Sequence, residues 1–191
     1  MTKSSDTRRI LIETTALKLF AERGYAEVSV RDIAQACGIG ESALYRHMTS
    51  KEELAARVFR EAYLGFAEDM RGAVSESEDL ATKLLAYLQI MLEGFETDPT
   101  LMRFLLIRQH DTLSKAITTE DTTPLTLVRD ALLHASRRAE IDLPDPDLAT
   151  AQVMGAALQP VTFMFHGRLP APATAHLSGI LEGLKRLLGL T

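Results

Sequence analysis

One short stretch of this chain gathers most of the groups that could do recognition chemistry. Glu41-Ser42-Ala43-Leu44-Tyr45-Arg46-His47, with Lys51 just beyond, brings together a hydroxyl, a phenol, a guanidinium, an imidazole and an ammonium. Such groups donate hydrogen bonds to phosphate oxygens and base edges. Wound as a helix, the stretch turns Leu44 and Met48 to one side. Ser42, Ala43 and Arg46 then lie opposite, with Tyr45 and His47 on the flanks, so the outer face is small, polar and basic. Bond-breaking chemistry has no comparable cluster. The histidines His47, His110, His134, His166 and His176 show no His-Glu-x-x-His spacing, and no Gly-x-Ser-x-Gly or phosphate loop is present. Neither catalysis, nor a metal, nor a cofactor is expected.

Elements positioning this stretch can be read from cap residues and apolar spacing. A first helix over about 6–23 buries Ile12, Ala16, Leu19 and Phe20, and Gly24 supplies a left-handed stop. Ser29 with Asp32 forms a capping box for a short helix, Val30–Ala36, whose inward stripe includes Ile33, Ala34 and Cys37. On that stripe Cys37 reads as inert packing rather than a redox sensor. After Gly38, Ile39 and Gly40 a third helix is predicted from Glu41 to His47. Ser50 and Glu53 form a second, stronger capping box that opens a long fourth helix carrying Leu54, Val58, Phe59, Ala62 and Phe66. Two short helices around a glycine turn make a helix-turn-helix, in which the first braces the second so that its outer side chains enter a groove about 12 Å wide.

The wider string resembles the amino-terminal domain of the TetR family of repressors. It runs Leu19-Phe20-Ala21-Glu22-Arg23-Gly24-Tyr25, Ser29-Val30-Arg31-Asp32-Ile33-Ala34, Gly38-Ile39, Leu44-Tyr45-Arg46-His47 and Ser50-Lys51-Glu52-Glu53-Leu54. The resemblance is close over residues 8–60 and extends to the rest only by length and helical character. It implies that Ser29 and Arg31 meet the DNA backbone, that Glu41, Ser42, Ala43 and Arg46 face bases, and that Tyr45, His47 and Lys51 hold phosphates. Gly40 departs from the pattern by replacing a hydroxyl cap, and Met48 by replacing an aromatic. Glu41 has two readings: an acceptor for cytosine N4, or an exposed acid favouring the helix amino end.

Beyond Ser75–Asp79, proline at first helical positions marks further starts at Asp98-Pro99, Thr123-Pro124 and Asp145-Pro146. Helices are predicted near 79–97, 99–110, 124–139, 146–166 and 173–189. The expected fold is all-α, about nine helices, with a three-helix DNA-binding head over 1–51 and a helical effector-binding and dimerisation body over 52–191. Residues 1–51 hold eight basic against six acidic side chains, and the remainder 13 against 20, which suits contact with phosphates at one end only.

A symmetric operator requires a symmetric protein. Leu177, Ile180, Leu181, Leu184, Leu187 and Leu188 form a stripe too wide for one neighbour, and Gly155 and Ala156 permit close approach. The resemblance also implies a four-helix homodimer interface here. The middle helices carry pliable apolar residues, Met91, Phe95, Met102, Leu105, Leu106, Met154, Leu158 and Phe163, with Gln109, His110 and Gln159 as polar handles. They suit a small apolar or amphipathic effector. Pro160 is expected to kink its helix. A DNA-binding regulator that is constitutive or controlled by a protein partner is the alternative, and a small helical enzyme a remote one. No uninterrupted apolar run approaches the roughly 20 residues of a membrane span, and the start of the chain is polar, so a cytoplasmic location without a membrane partner is expected.

Overall fold

Several helix starts along this chain coincide with side chains that accept from otherwise unpaired amides. The computed structural model describes residues 2–75 and 78–190, with side chains for 7–75, 78–106 and 116–190. The elements are α1 (Thr2–Arg23), α2 (Val30–Ala36), α3 (Glu41–Leu44), α4 (Lys51–Gly72) and α5 (Leu80–Thr97), then α6 (Pro99–Ala116), α7 (Pro124–Arg137), α8 (Pro146–Phe165) and α9 (Leu177–Leu188). A 3-10 turn, Ala173–His176, leads into α9. Among the described residues all regular structure is helical, and the all-α expectation holds.

Each predicted proline start is present. Thr123 forms a capping box with Thr126 ahead of Pro124, and the Asp145 carboxylate accepts from the amides of Asp147 and Leu148 around Pro146. Caps of this kind contribute about 1 kcal/mol each. Three lengths differ from expectation. α1 begins near Thr2 rather than Asp6, and α6 runs to Ala116 rather than 110, since neither interval contains a glycine or proline to stop it. The third helix is shorter: its α-helical part ends at Leu44. The Arg46 and His47 amides instead reach back three residues, to Ala43 and Leu44, in tightened turns.

The chain divides into two compact units. The first comprises residues 1–63 and 99–121. Here α1 packs on α2 and α6, and α2 on α3. Its interior is aromatic at the centre, with Phe20 stacked on Phe104 at 6.3 Å between centroids and Phe59 edge-on to the same ring. Phe59 also stacks on Tyr63, whose burial pushes its phenol up to about 12. An Arg60–Asp121 fork joins α4 to the segment after α6, and Arg60 also donates to the Ala116 carbonyl at 2.8 Å.

The second unit comprises residues 64–98 and 122–191. α7 packs on α8, and α5 on α7, α8 and α9. Its core includes Leu84, Leu92, Leu132, Val153 and Leu184. Glu140 accepts from the Leu80 amide at 2.9 Å, adding to the Asp79 cap of α5. α8 passes through Pro160 without ending, and Thr150, Val153, Ala157 and Val161 mark its buried stripe.

By length and composition alone α8 is apolar enough to cross a membrane, although Asp147, Thr150, Gln152 and Gln159 interrupt its apolar run. A core or interface helix of a soluble protein meets the same test.

The Arg60–Asp121 fork makes stability depend on acid. The Arg60 guanidinium first, then the Thr118 amide, hold the Asp121 carboxyl well below the usual carboxylate range. A lowered folded value means that the contribution is complete above the ordinary value of about 4 and is lost as pH falls below it. Asp121→Asn is therefore expected to lower the urea midpoint at pH 7 and to do so by less at pH 3. An equal deficit at both would show that the ion pair is not the cause.

Candidate nucleic-acid interface

The head is built around side chains that look inward from all of its short helices. On α1, Ile12, Ala16, Leu19 and Phe20 are buried, as expected. α2 contributes Ile33 and Ala34 with Cys37 beside them, and Leu44 and Met48 close the core from α3 and the turn after it at 0% and 3% exposure. Met48 thus fills its position by burial of a flexible side chain.

The turn between α2 and α3 needs a left-handed residue, and Gly38, at φ +65°, provides it. The Ile39 amide then donates to the Ala34 carbonyl and the Gly38 amide to Gln35, which together form a Schellman stop. Gly40 stands at the cap position before α3 and supplies no side-chain hydrogen bond there.

The predicted reading residues fall on the outside. Glu41, Ser42, Tyr45 and Arg46 are exposed, Tyr45 by 52%, while Ala43 and His47 are half-buried. Arg31 on α2 is exposed as well. Apart from Arg31, these side chains share a segment only seven residues long, whose inward side is Leu44.

Two members of the predicted set have structural duties in addition. Ser29 forms the capping box of α2: its hydroxyl accepts from the Asp32 amide at 3.1 Å and donates to the Asp32 carboxylate. The Ser29 amide donates to the same carboxylate at 2.8 Å. These bonds hold the Asp32 carboxyl below its usual range, the hydroxyl contributing most. A hydroxyl has one proton, so Ser29 has none to give a phosphate while the cap stands. Lys51 is half-buried. Its ammonium donates to the Tyr25 carbonyl at 3.0 Å and the Val28 carbonyl at 2.8 Å, and lies 4.2 Å from the centre of the Tyr25 ring. Two of its three protons are thus held within the head.

Four residues important to this geometry had no assigned role at the sequence level: Glu13, Tyr25, Val28 and Arg57. Glu13 is 7% exposed on the inward stripe of α1, and Arg57 donates to it at 2.6 Å. Arg57 also pairs with Glu53 and donates to the His47 carbonyl at 3.0 Å. The signal available was an acid among buried apolar positions, which must find a cation. The second capping box is altered too. Ser50 accepts from the Glu53 amide, but the Glu53 carboxylate accepts from Thr49 rather than from Ser50.

The predicted effector residues are divided between the units. Met102 and Leu105 are buried and Leu106 half-buried on α6, in the first unit. In the second, Met91 is buried, Phe95, Met154 and Leu158 are half-buried, and Gln159 and Phe163 are exposed. Phe95 meets Phe165 edge-on at 4.9 Å. The side chains of Gln109 and His110 lie outside the described residues. In the predicted dimer set, Gly155, Ala156 and Leu187 are exposed, and Leu177, Ile180, Leu181 and Leu188 are half-buried. Leu184 differs: at 0% exposure it braces α9 from inside its own chain and presents nothing to a partner. Among the described residues no group of three His, Cys, Asp or Glu side chains could hold a metal ion.

Comparison with known proteins follows this division. Residues 12–58 match the family model for bacterial regulatory proteins of the tetR family. The HTH-type transcriptional repressor KstR2 of Rhodococcus jostii (strain RHA1) is 40% identical over 75 residues, which are 39% of this chain and 35% of that protein. The match thus spans about a third of the length of this curated relative. Among solved structures, the TetR family transcriptional regulator PfmR from Thermus thermophilus aligns at TM-score 0.71 and 25% identity, covering 92% of this chain and 97% of that one. The fatty acid degradation regulator FadR from Bacillus halodurans aligns at TM-score 0.77 and 20% identity, covering 93% and 94%. The likeness to FadR is one of fold.

The position of Lys51 yields a test. Lys51→Met removes donors from two carbonyls and is expected to lower the thermal midpoint, as loss of charged hydrogen bonds of about 1.5–3 kcal/mol each would. An unchanged midpoint would mean that the ammonium does not brace the loop before α2.

Proposed function

We propose that this chain, whose residues 12–58 match the family model for bacterial regulatory proteins of the tetR family, is a transcriptional repressor. It binds a palindromic operator as a homodimer in the cytoplasm and is released by a small apolar or amphipathic effector. The observation carrying this reading is the opposed burial in one segment: Leu44 and Met48 lie in the core, while Glu41, Ser42, Tyr45 and Arg46 face solvent. A segment so anchored presents its outer side chains as a unit to a groove.

Roles follow from chemistry. Arg46 donates two bonds to a guanine edge, Ser42 and Glu41 read neighbouring polar groups, and Ala43 meets a thymine methyl. Tyr45, His47, Arg31 and the third proton of Lys51 hold phosphates. Ser29 contributes by fixing α2.

Pairing of two copies is supported by what α8 and α9 leave uncovered. Leu148 and Phe163 on α8 and Leu187 on α9 are 55%, 48% and 45% exposed. A side-chain carbon added at Gly155 would meet no other atom within 4 Å. Small residues beside large exposed apolar ones suit close packing of two helix pairs. For the effector, the reading rests on the pliable residues of the second unit, Met91, Phe95, Met154 and Leu158. Binding there biases α4, whose residues from Leu64 onward belong to that unit. The two heads of the dimer then no longer fit successive turns of one duplex.

Selection of fragments from random duplex DNA at two salt concentrations is expected to return a palindromic motif; recovery of no motif would refute specific repression. Arg46→Ala is expected to cost about 1–3 kcal/mol on the selected duplex and to relax one base preference in each half-site. Full retention of that preference would remove Arg46 from the reading face. Thermal shifts across a lipophilic compound panel are expected to show stabilisation by one chemical class. Stabilisation by none would favour control by a protein partner instead.

A further inference from the structure

Arg57 has a geometry that neither its exposure nor its sequence position suggests. It lies on α4, outside the segment that reads DNA, yet its guanidinium reaches acceptors on three separate pieces of the head. Nε donates to the Glu13 carboxylate on α1 at 2.6 Å, Nη1 pairs with Glu53 one turn back on α4, and Nη2 donates to the His47 carbonyl at 3.0 Å. Glu13 is itself buried, and Arg9 lies 4.0 Å from the same carboxylate oxygen. Three of the five N–H groups of Arg57, one on each nitrogen, are therefore committed within the head.

Its partner Glu53 completes the arrangement. While one Glu53 oxygen pairs with Arg57, the other accepts from the Thr49 amide at 3.1 Å. The backbone leaving the reading segment is thus held at two points: at the His47 carbonyl by the cation and at the Thr49 amide by the anion. A pair four residues apart on a helix surface ordinarily does no more than support its own helix. Here each member also fixes a backbone group of the chain between α3 and α4. The tightened turn over Tyr45–His47 carries Tyr45 and Arg46, so this hold sets where both of those side chains point.

We propose that Arg57 is a positioning residue for base reading: it sets the exit of the reading segment, and with it the direction of Arg46, without touching the duplex. This rests on the reading of Glu41–His47 as the DNA-facing segment. Specificity then depends on Arg57 and Glu53, whereas attraction to DNA in general does not. Direction matters because a bidentate bond to a base edge is lost on small displacement, while a long-range attraction to phosphate is not.

The test measures the ratio of affinities for the duplex selected by the wild-type protein and for a scrambled duplex of equal length, at two salt concentrations. Arg57→Met is expected to lower the ratio by about tenfold or more, the scale of losing a charged hydrogen bond, with the salt slope unaltered. Arg57→Lys, which keeps the charge but not the planar fork, is expected to recover little of it. An unchanged ratio in a folded Arg57→Met protein would overturn the proposal. So would equal losses on both duplexes with the slope flattened by about one, since that marks a direct phosphate contact. If Arg57→Met fails to fold by circular dichroism, Glu53→Ala decides, because its carboxylate is partly exposed and leaves no buried orphan. It is expected to lower the ratio by about twofold to fivefold, as a single modest hydrogen bond would, and no change there would overturn the proposal. If the wild-type protein selects no motif, the DNA-reading assignment itself falls, and that failure is seen before any variant is made.

Discussion

A helix of one turn has almost no stability of its own in water, because nucleation fixes several residues for a single backbone bond. The segment Glu41–Leu44 is such a helix, and it lacks even a side-chain cap. It persists because it is held from both sides. Leu44 and Met48 sink into the core formed with α1 and α2, and the Glu13–Arg57–Glu53 group fixes the chain where the segment ends. The Glu13 carboxylate is costly to bury and acceptable only with a cation directly against it. Glu13 and Arg57 are thus needed as a pair, and the shape of the head follows from their meeting.

The same economy explains why residues that resemble phosphate contacts turn out to be occupied inside the head. A domain this small has few polar groups to close its loops, so Ser29 caps α2 and Lys51 gathers the carbonyls of Tyr25 and Val28. These hydrogen bonds fix the loop before α2, as those of Arg57 fix the exit from α3. What remains outward is a compact set: Arg31, Glu41, Ser42, Tyr45 and Arg46. Bracing thus falls to side chains that can reach a backbone group, and the rest are left facing solvent.

Much of the architecture was legible because caps and prolines act locally. Thr123, Asp145 and the prolines after them mark helix starts whatever surrounds them, and the stripe Ile12, Ala16, Leu19 and Phe20 requires burial wherever α1 lies. What escaped was set by partners distant in sequence. Nothing near Arg57 announces Glu13, 44 residues away. The inward turn of Leu184 depends on where α9 packs against α5 and α8, and a leucine stripe alone cannot say which of its members meet their own chain. The early end of α3 reflects the choice between reaching back three residues or four, which propensity resolves poorly in so short a segment. The TetR resemblance lay in the head, where spacing and residue type are both constrained, and the family model matches there.

Arg57 grips the reading segment by the His47 carbonyl, a group every residue type possesses. The exposed Ser42 and Arg46 side chains therefore take no part in that grip, and they can be exchanged while the frame stays whole. Under the proposed DNA-reading role, duplicated copies of such a gene diverge in the address they recognise one substitution at a time, each intermediate still folding.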